Sequence, residues 1–440
     1  MAQHASRVSR RKVLKSGAAA LGGAATLLGG GAAAAAAAVQ QPGPRAGEAA
    51  ERRFRAFVRH GTGASVEELR MLPIQPREVV VRTEASGVCY TITGGVLATT
   101  QAQRATIPNH SGMGVVEAVG PLVKRVQPGD RVIVPGTPQC GQCFQCLQGR
   151  ADHCRFLTVD QHPVARMADG TDVFAGAGLG GLADLMIVYE EYCCPVFTTV
   201  SGAELTMLGD TVGTGMAAGM DLISIFPGSD VVVQGAGPVG MGAIQSARIM
   251  GAGQIIALEP VAYRREAALK LGATLALDPN AEGDKLVDHI RELCGKETDR
   301  RFAGGTNASG RGADFTINAC GGDTSVPRVE QVPDPTGILP LQQALQFTRP
   351  GGHIVTLGFQ QRGAVSFPVL QFVNSGRTFH AGQQGGLNMM RDLPRFVKLI
   401  EKGLLDVKSV VTAIYPLDRT RDAVQAAADR TTLGAVVSFV

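Results

Sequence analysis

The chain has 440 residues, 45% of them hydrophobic, with 57 glycines and no tryptophan. That length and apolar fraction argue against a disordered chain and suffice for two or three domains at roughly 150 residues each, and the glycine content points to an α/β protein with many tight turns. The formal charge of +4 resides in the leader: residues 1–38 carry Arg7, Arg10, Arg11, Lys12 and Lys15 and no acid, so without them the chain stands at −1, which removes any bulk electrostatic case for nucleic acid or an anionic membrane.

Residues 9–15, SRRKVLK, precede a weakly hydrophobic Gly/Ala run and then small residues, the layout of an export signal. Gly and Ala dilute the apolar run too far for a membrane anchor, and no cysteine follows to carry a lipid. The Arg10-Arg11 pair resembles a twin-arginine signal, which implies cleavage near Ala38 and a periplasmic or extracellular destination. That resemblance also implies passage through the twin-arginine export machinery in the folded state. Thiols can then load metal in a reducing compartment, which weakens the expectation of disulfides in an exported protein. An Ala-rich disordered leader is the alternative. Residues 39–53 read as a linker.

From 54 to 207, short β-rich segments such as EVVVRTEASGVC, GMGVVEAVG and LADLMIVYEEY are broken by Gly and Pro, which predicts an irregular β domain. Inside it, CGQCFQCLQGRADHC holds four of the nine cysteines, Cys140, Cys143, Cys146 and Cys154. Four thiolates on so compact a loop suit a closed tetrahedral zinc that stabilises and does not catalyse. An iron–sulfur cluster uses similar spacing, and two disulfides within the loop are sterically awkward.

From 208 to 376 strands and helices alternate, as in DVVVQGAG, PVGMGAIQSARIMGA, QIIALEP and YRREAALKLGA, which implies a doubly wound parallel sheet. Gly235, Gly237 and Gly240, with Pro238 and Val239 between the last two, join its first strand to a helix N-terminus. Such a turn lets a pyrophosphate approach free N–H groups at the positive end of the helix. Glu259 closes the next strand, 24 residues after Gly235. A carboxylate there can bond ribose hydroxyls and repel a 2′-phosphate, which favours NAD over NADP. A structural Gly-rich turn is the alternative. Residues 321–340, GGDTSVPRVEQVPDPTGILP, exceed ordinary loop lengths and read as a lid or contact segment. Residues 377–440 are expected to complete the sheet and return to the first domain.

In this order, GVCYT, PNHSGMGVVEAVG, GDRVIVPG, the four-cysteine loop, DTVGTGMAAG, GAGPVG and GADFTINACGG resemble the zinc-dependent medium-chain dehydrogenases/reductases, the alcohol dehydrogenase family. The resemblance implies a GroES-like catalytic domain, a Rossmann domain and a dimer or tetramer. It also implies a catalytic zinc on three ligands, which fall by motif at Cys89, His110 and Asp210. Aspartate at this third position resembles the formaldehyde dehydrogenase branch. One thiolate, one imidazole and one carboxylate make a reasonable open zinc set. Taken alone, Cys89 also reads as a core residue, His110 as a turn residue and Asp210 as a helix N-cap. Thr91 falls where the family relays the alcohol proton, Thr214 where it contacts the nicotinamide, and Arg264 where a basic group contacts the adenosine ribose or phosphate; a solvated arginine is the alternative for the last. The chain departs from the family at Ser111, where a glutamate is usual, at Ile92, and at Gly94, where some members continue the relay with histidine.

The reaction so implied is hydride transfer between a small alcohol and NAD, with an aldehyde or ketone in reverse. NAD is scarce outside the cytoplasm. In the formaldehyde dehydrogenase branch an insertion covers a tightly held NAD, and 321–340 lies at a similar place, so the cofactor is expected to travel inside the folded protein. The competing expectation is an exported, non-catalytic, zinc-stabilised binding protein that retains the dehydrogenase fold. A zinc-free reductase is disfavoured by the three ligand residues together.

Overall fold

The computed structural model describes residues 52–158, 161–294, 311–359, 362–366 and 368–440. The proposed leader, its cleavage site and nearly all of the linker lie outside the described residues.

Asp230–Gln234 is buried along its whole length, because it is the inner strand of a parallel sheet covered on both faces. The six strands of that sheet run in the order Leu275–Leu277, Gln254–Leu258, Asp230–Gln234, Ala313–Asn318, Thr348–Thr356, Thr378–Ala381, and every neighbouring pair is parallel. The order reverses beside Asp230–Gln234, which opens a ligand crevice at the carboxyl end of that strand. This is the predicted Rossmann layer.

The β-rich half holds a closed five-stranded barrel, which includes Arg53–His60 and Ala105–Ile107, and a separate sheet around Glu78–Gly87. This is the predicted GroES-like architecture. Bulges between Val80 and Val81 and between Thr83 and Ala85 bend Glu78–Gly87 against Gly112–Val119. The C-terminal chain serves both halves. Thr378–Ala381 is the last strand of the Rossmann sheet, whereas Val411–Pro416 and Gly434–Ser438 lie in the sheet of the β-rich half. Gly434–Ser438 pairs directly with Glu78–Gly87.

One apolar core runs through the junction of the halves. It joins Met113 and Ile133 to Met207, Val212 and Met216, and these to Val231, Phe315 and Phe396. Across this seam the helix Thr211–Ala217 lies close on the helix Pro238–Ile249. A Cβ on Gly215 would stand 2.0 Å from the carbonyl oxygen of Val239, and one on Gly242 would stand 2.3 Å from that of Val212. Any larger residue at either position would push the two backbones apart. The contact fixes the residues before Thr211 relative to the glycine turn that opens the second helix.

Candidate active site

Cys89 follows the end of Glu78–Gly87, where Val88 N–H bonds the carbonyl of Ala435 at 2.9 Å. His110 follows Ala105–Ile107 on a turn that needs a left-handed residue, supplied by Asn109 at φ +82°. Asparagine tolerates that region better than most non-glycine residues. Its Nδ2 donates to Ser86 Oγ at 2.7 Å and to Gly87 O at 2.8 Å. These bonds stitch the His110 turn to the strand that leads into Cys89. Asp210 sits at the head of Thr211–Ala217, but its side chain makes no capping hydrogen bond. Its carboxylate turns instead toward His110, with Nε2 and Oδ2 3.3 Å apart.

The ligand atoms of Cys89, His110 and Asp210 all lie within 4.8 Å of one another. Ligands held 2.0–2.3 Å from one tetrahedral zinc stand about 3.3–3.8 Å apart, so the set fits such an ion. Apart from that 3.3 Å contact with His110, buried Asp210 Oδ2 has no hydrogen-bond partner among the described residues, which leaves a lone pair suited to a cation. Burial opposes a charged His110, but Asp210 and the Cys89 thiolate outweigh it and hold its pKa well above the usual imidazole value. Burial likewise pushes Asp210 upward, and His110, Cys89 and Gln384 more than reverse that. The triad is built for charge.

Gln384 was not foreseen from sequence. Its Nε2 donates to Asp210 Oδ1 at 3.2 Å and to Gly209 O at 3.1 Å, and its Oε1 accepts from Thr137 Oγ1 at 2.8 Å. It therefore orients the carboxylate from behind. Thr91 Oγ1 donates to Cys89 Sγ at 3.1 Å, which sets that hydroxyl beside the three ligands. Ser111 is fully buried and donates to Thr206 O at 2.8 Å, so it faces the packing and not the ligand set.

The four sulfurs of Cys140, Cys143, Cys146 and Cys154 also gather within 4.8 Å, and no disulfide joins them. Backbone N–H groups point at the sulfurs, among them Cys143 N–H to Cys140 Sγ and Cys140 N–H to Cys154 Sγ, both at 3.3 Å. Burial opposes ionisation of Cys143, yet N–H donors from Arg155 and Cys146 bring its pKa down to about 6. Thiolate-stabilising donors around four converging sulfurs suit a closed metal site.

The glycine turn has the shape a diphosphate requires. Gly235 adopts φ +84°, and a Cβ there would press on Cys320 Sγ at 3.1 Å. A Cβ on Gly240 would collide with Gly235 O at 1.9 Å, whereas one on Gly237 would meet Arg264 Nη1 at 3.8 Å and nothing closer. The turn is thus closed beneath and open above. Pro238 begins the helix and Val239 follows it. Glu259 accepts from Ala236 N–H at 2.7 Å and from Val261 N–H at 3.0 Å, which locks its carboxylate onto the turn with lone pairs to spare. Arg264 is buried, donating to Tyr263 Oη at 3.1 Å and to Thr432 O at 3.0 Å; it is not a solvated helix-start residue. Thr214 is buried one turn beyond Asp210 and donates to its carbonyl at 2.6 Å.

Residues 321–340 bridge the halves. Thr324 N–H donates to Tyr90 Oη at 3.1 Å, and Thr324 and Thr93 share a hydroxyl contact at 3.0 Å. Asp323 pairs with Arg430, and Arg328 pairs with Asp429 at 3.1 Å. A Cβ on Gly94 would stand 3.1 Å from Thr324 Cβ, so the position where a relay histidine was sought is occupied by this docking contact.

Residues 75–198 match the alcohol dehydrogenase GroES-like domain, and residues 238–402 match the zinc-binding dehydrogenase domain. The chain belongs to the zinc-dependent medium-chain dehydrogenases. It is accordingly an enzyme, an alcohol oxidoreductase by family. Geraniol dehydrogenase of Castellaniella defragrans is 29% identical to it over 380 residues, spanning 83% of this chain and 92% of that one. S-(hydroxymethyl)glutathione dehydrogenase of Komagataella pastoris is 28% identical over 379 residues, spanning 82% and 91%. The crystal structure of an alcohol dehydrogenase zinc-binding domain protein from Burkholderia ambifaria superposes with a TM-score of 0.72 at 27% identity, covering 88% of this chain and 99% of that one. Such relatives give no support to the expectation of a non-catalytic binding protein.

Proposed function

We propose that this dehydrogenase transfers a hydride between an alcohol and NAD, and reduces an aldehyde or ketone in reverse, as an exported enzyme that keeps its cofactor. The observation that carries this reading is the convergence of Cys89, His110 and Asp210 at the head of a helix packed against the dinucleotide helix. Zinc held by that triad would supply Lewis acidity, lowering the pKa of the substrate hydroxyl toward neutrality. Thr91, beside Cys89 Sγ, takes or relays the hydroxyl proton. Gly94 offers no further link, so the proton leaves through water. The N–H groups after Gly235 receive the diphosphate. Glu259 accepts the ribose hydroxyls and disfavours a 2′-phosphate. Thr214, on the same helix as the third ligand, sets the nicotinamide against the substrate carbon. Residues 321–340 cover the junction and keep the nucleotide in during export by the twin-arginine route.

Native mass spectrometry of the mature, exported protein tests this. Two zinc ions and one NAD or NADH per chain are expected. Asp210→Ala should lose one zinc and lower turnover by more than the about 10–100-fold typical of losing a ligand's outer partner, with the cysteine-loop zinc retained. One zinc and no nucleotide in the wild-type protein would overturn the reading.

A further inference from the structure

Gln384 holds the carboxylate of the third ligand, yet its own backbone is strained. It stands at φ +45° and ψ +43°, and Gly385 at φ +68° and Gly386 at φ +82° continue the left-handed turn. A residue with a Cβ loses energy in that region and stays there only where its surroundings over-determine it. The bonds inside the turn are long: Gly385 N–H to Gly382 O at 3.3 Å and Leu387 N–H to Gln384 O at 3.2 Å. Part of the hold comes from the helix that Asp210 opens. A Cβ on Gly385 would stand 2.2 Å from Thr214 O, so the turn is wedged against that helix.

The rest of the hold comes from the two flanks of the cysteine loop. On the entry side, Thr137 lies three residues before Cys140, is buried, and donates to Gln384 Oε1 at 2.8 Å. Gly136 leaves a berth for the amide, because a Cβ there would stand 2.7 Å from Gln384 Nε2. Gln139 Oε1 accepts from Met390 N–H at 3.1 Å, just beyond the turn, and Gln139 N–H bonds Glu191 O at 2.8 Å. On the exit side, Asp152 is fully buried, and Arg150 grips it with Nε at 3.0 Å and Nη2 at 2.9 Å, a forked pair. A Cβ on Gly382 would meet Asp152 Oδ2 at 3.2 Å, and Arg150 Nη2 lies 3.5 Å from Ala381 O. Cys140 N–H bonds Cys154 Sγ at 3.3 Å and so ties the two flanks together.

We propose that the cysteine loop is a positioning element for the catalytic metal site: its flanks clamp the Gln384 turn, and through that amide they keep Asp210 on the triad. The inference rests on the reading of Cys89, His110 and Asp210 as metal ligands. It makes Thr137, Arg150 and Asp152 positioning residues that act on the triad through Gln384. It also gives a second task to a loop that four sulfurs alone would assign to stability.

The test is the rate at which a chromogenic chelator removes zinc from the triad of the zinc-loaded enzyme, with the loop zinc followed by native mass spectrometry. Thr137→Val, which removes the hydroxyl, should speed that loss by about 2- to 30-fold, the range for residues that modulate a site through others. Thr137→Ser should restore the wild-type rate. Arg150→Met should speed the loss over the same range with the loop zinc retained. In Gln384→Ala enzyme, where the link is already cut, neither substitution should change the rate by more than about twofold. The proposal is overturned if either variant releases the triad zinc at the wild-type rate with its loop zinc in place. It is equally overturned if both speed release as much in the Gln384→Ala enzyme as in the wild type, because that pattern means general loosening of the fold. If Arg150→Met also sheds the loop zinc, Thr137→Val and Thr137→Ser decide by the same criteria. A wild-type enzyme with no zinc at the triad overturns the metal reading itself, which separates that failure from one of the clamp.

Discussion

Gln384 reaches Asp210 from 174 residues away along the chain, and its amide spans three partners at once. The donor bonds to Asp210 Oδ1 and Gly209 O leave Oδ2 facing His110 and Cys89. Without them the carboxylate is free to rotate away from the other two ligands. Gln384→Ala should therefore let a chelator strip the triad's zinc about 10–100-fold more readily, with the cysteine-loop zinc unaffected. Unchanged chelation kinetics, followed with a chromogenic chelator, would mean the amide does not orient the ligand. Which residues could be read from sequence follows from the reach of each interaction. Cys89, His110 and Asp210 each stand inside a local motif, and the glycine turn announces itself by spacing. Gln384 lies in QQGG, where nothing local requires an amide, and Arg430 pairs with a residue 107 positions away. Their roles arise only when the two halves meet. Asn109 is intermediate: it stands inside the PNHSG motif, but its task, a left-handed backbone stitched to Ser86, shows only in the fold.

Residues 321–338 contain no regular secondary structure before the helix Leu339–Phe347 begins, so their order must come from side-chain anchors. Asp334 is the internal one. Its Oδ2 accepts from Ile338 N–H at 2.9 Å and Leu339 N–H at 2.7 Å, and its Oδ1 accepts from Thr336 N–H at 2.9 Å. Burial alone would raise its pKa, but these donors win and hold it below the ordinary carboxylate value. A depressed folded-state pKa contributes stability that is present above the unfolded value, about 3.9, and lost as pH falls through the folded one. The segment should accordingly stay docked through pH 4 and loosen only at more acid pH, as read by faster amide exchange over 321–340. Asp334→Asn, which cannot carry the charge, should remove that pH dependence. Docking itself depends on Gly94. Gly94→His, which would install the residue type absent from the relay, places a Cβ 3.1 Å from Thr324 and has to displace the segment. The expected result is faster NADH release, measured after dilution into excess unlabelled NAD, and not improved turnover. A variant that releases NADH at the wild-type rate would show that the segment does not gate the cofactor.

At the scale of the molecule, the two layers were legible because each has its own period. Broken β segments gave the β-rich half, and alternating buried strands and helices gave the parallel sheet. What no period signals is how one chain shares its last sixty residues between them. Thr378–Ala381 closes one sheet and Gly434–Ser438 threads into the other, pairing Val436 with Gly87 just before Cys89. The ends that carry the metal triad are thus assembled from segments far apart in sequence, and the same holds for the cysteine loop. A Cβ on Gly382 would stand 3.2 Å from Asp152 Oδ2, so the loop between Cys146 and Cys154 backs the segment that bears Gln384. Such an enzyme is complete only when fully folded and loaded, and that condition bears on the proposed export. If Arg10 and Arg11 direct it to a folded-protein route, export and loading are coupled. Arg10→Lys with Arg11→Lys should leave the enzyme inside the cell, still holding zinc and nucleotide. Cys154→Ser, with its arginines intact, should fail to close the cysteine loop, since metal binding there supplies folding free energy, and should also stay inside, without metal at that loop. Fractionation followed by native mass spectrometry reads both. Export of the double-lysine variant at the wild-type level would remove the twin-arginine assignment. Export of Cys154→Ser in a metal-free state would show that the chain crosses unfolded, and the nucleotide would then have to be acquired outside.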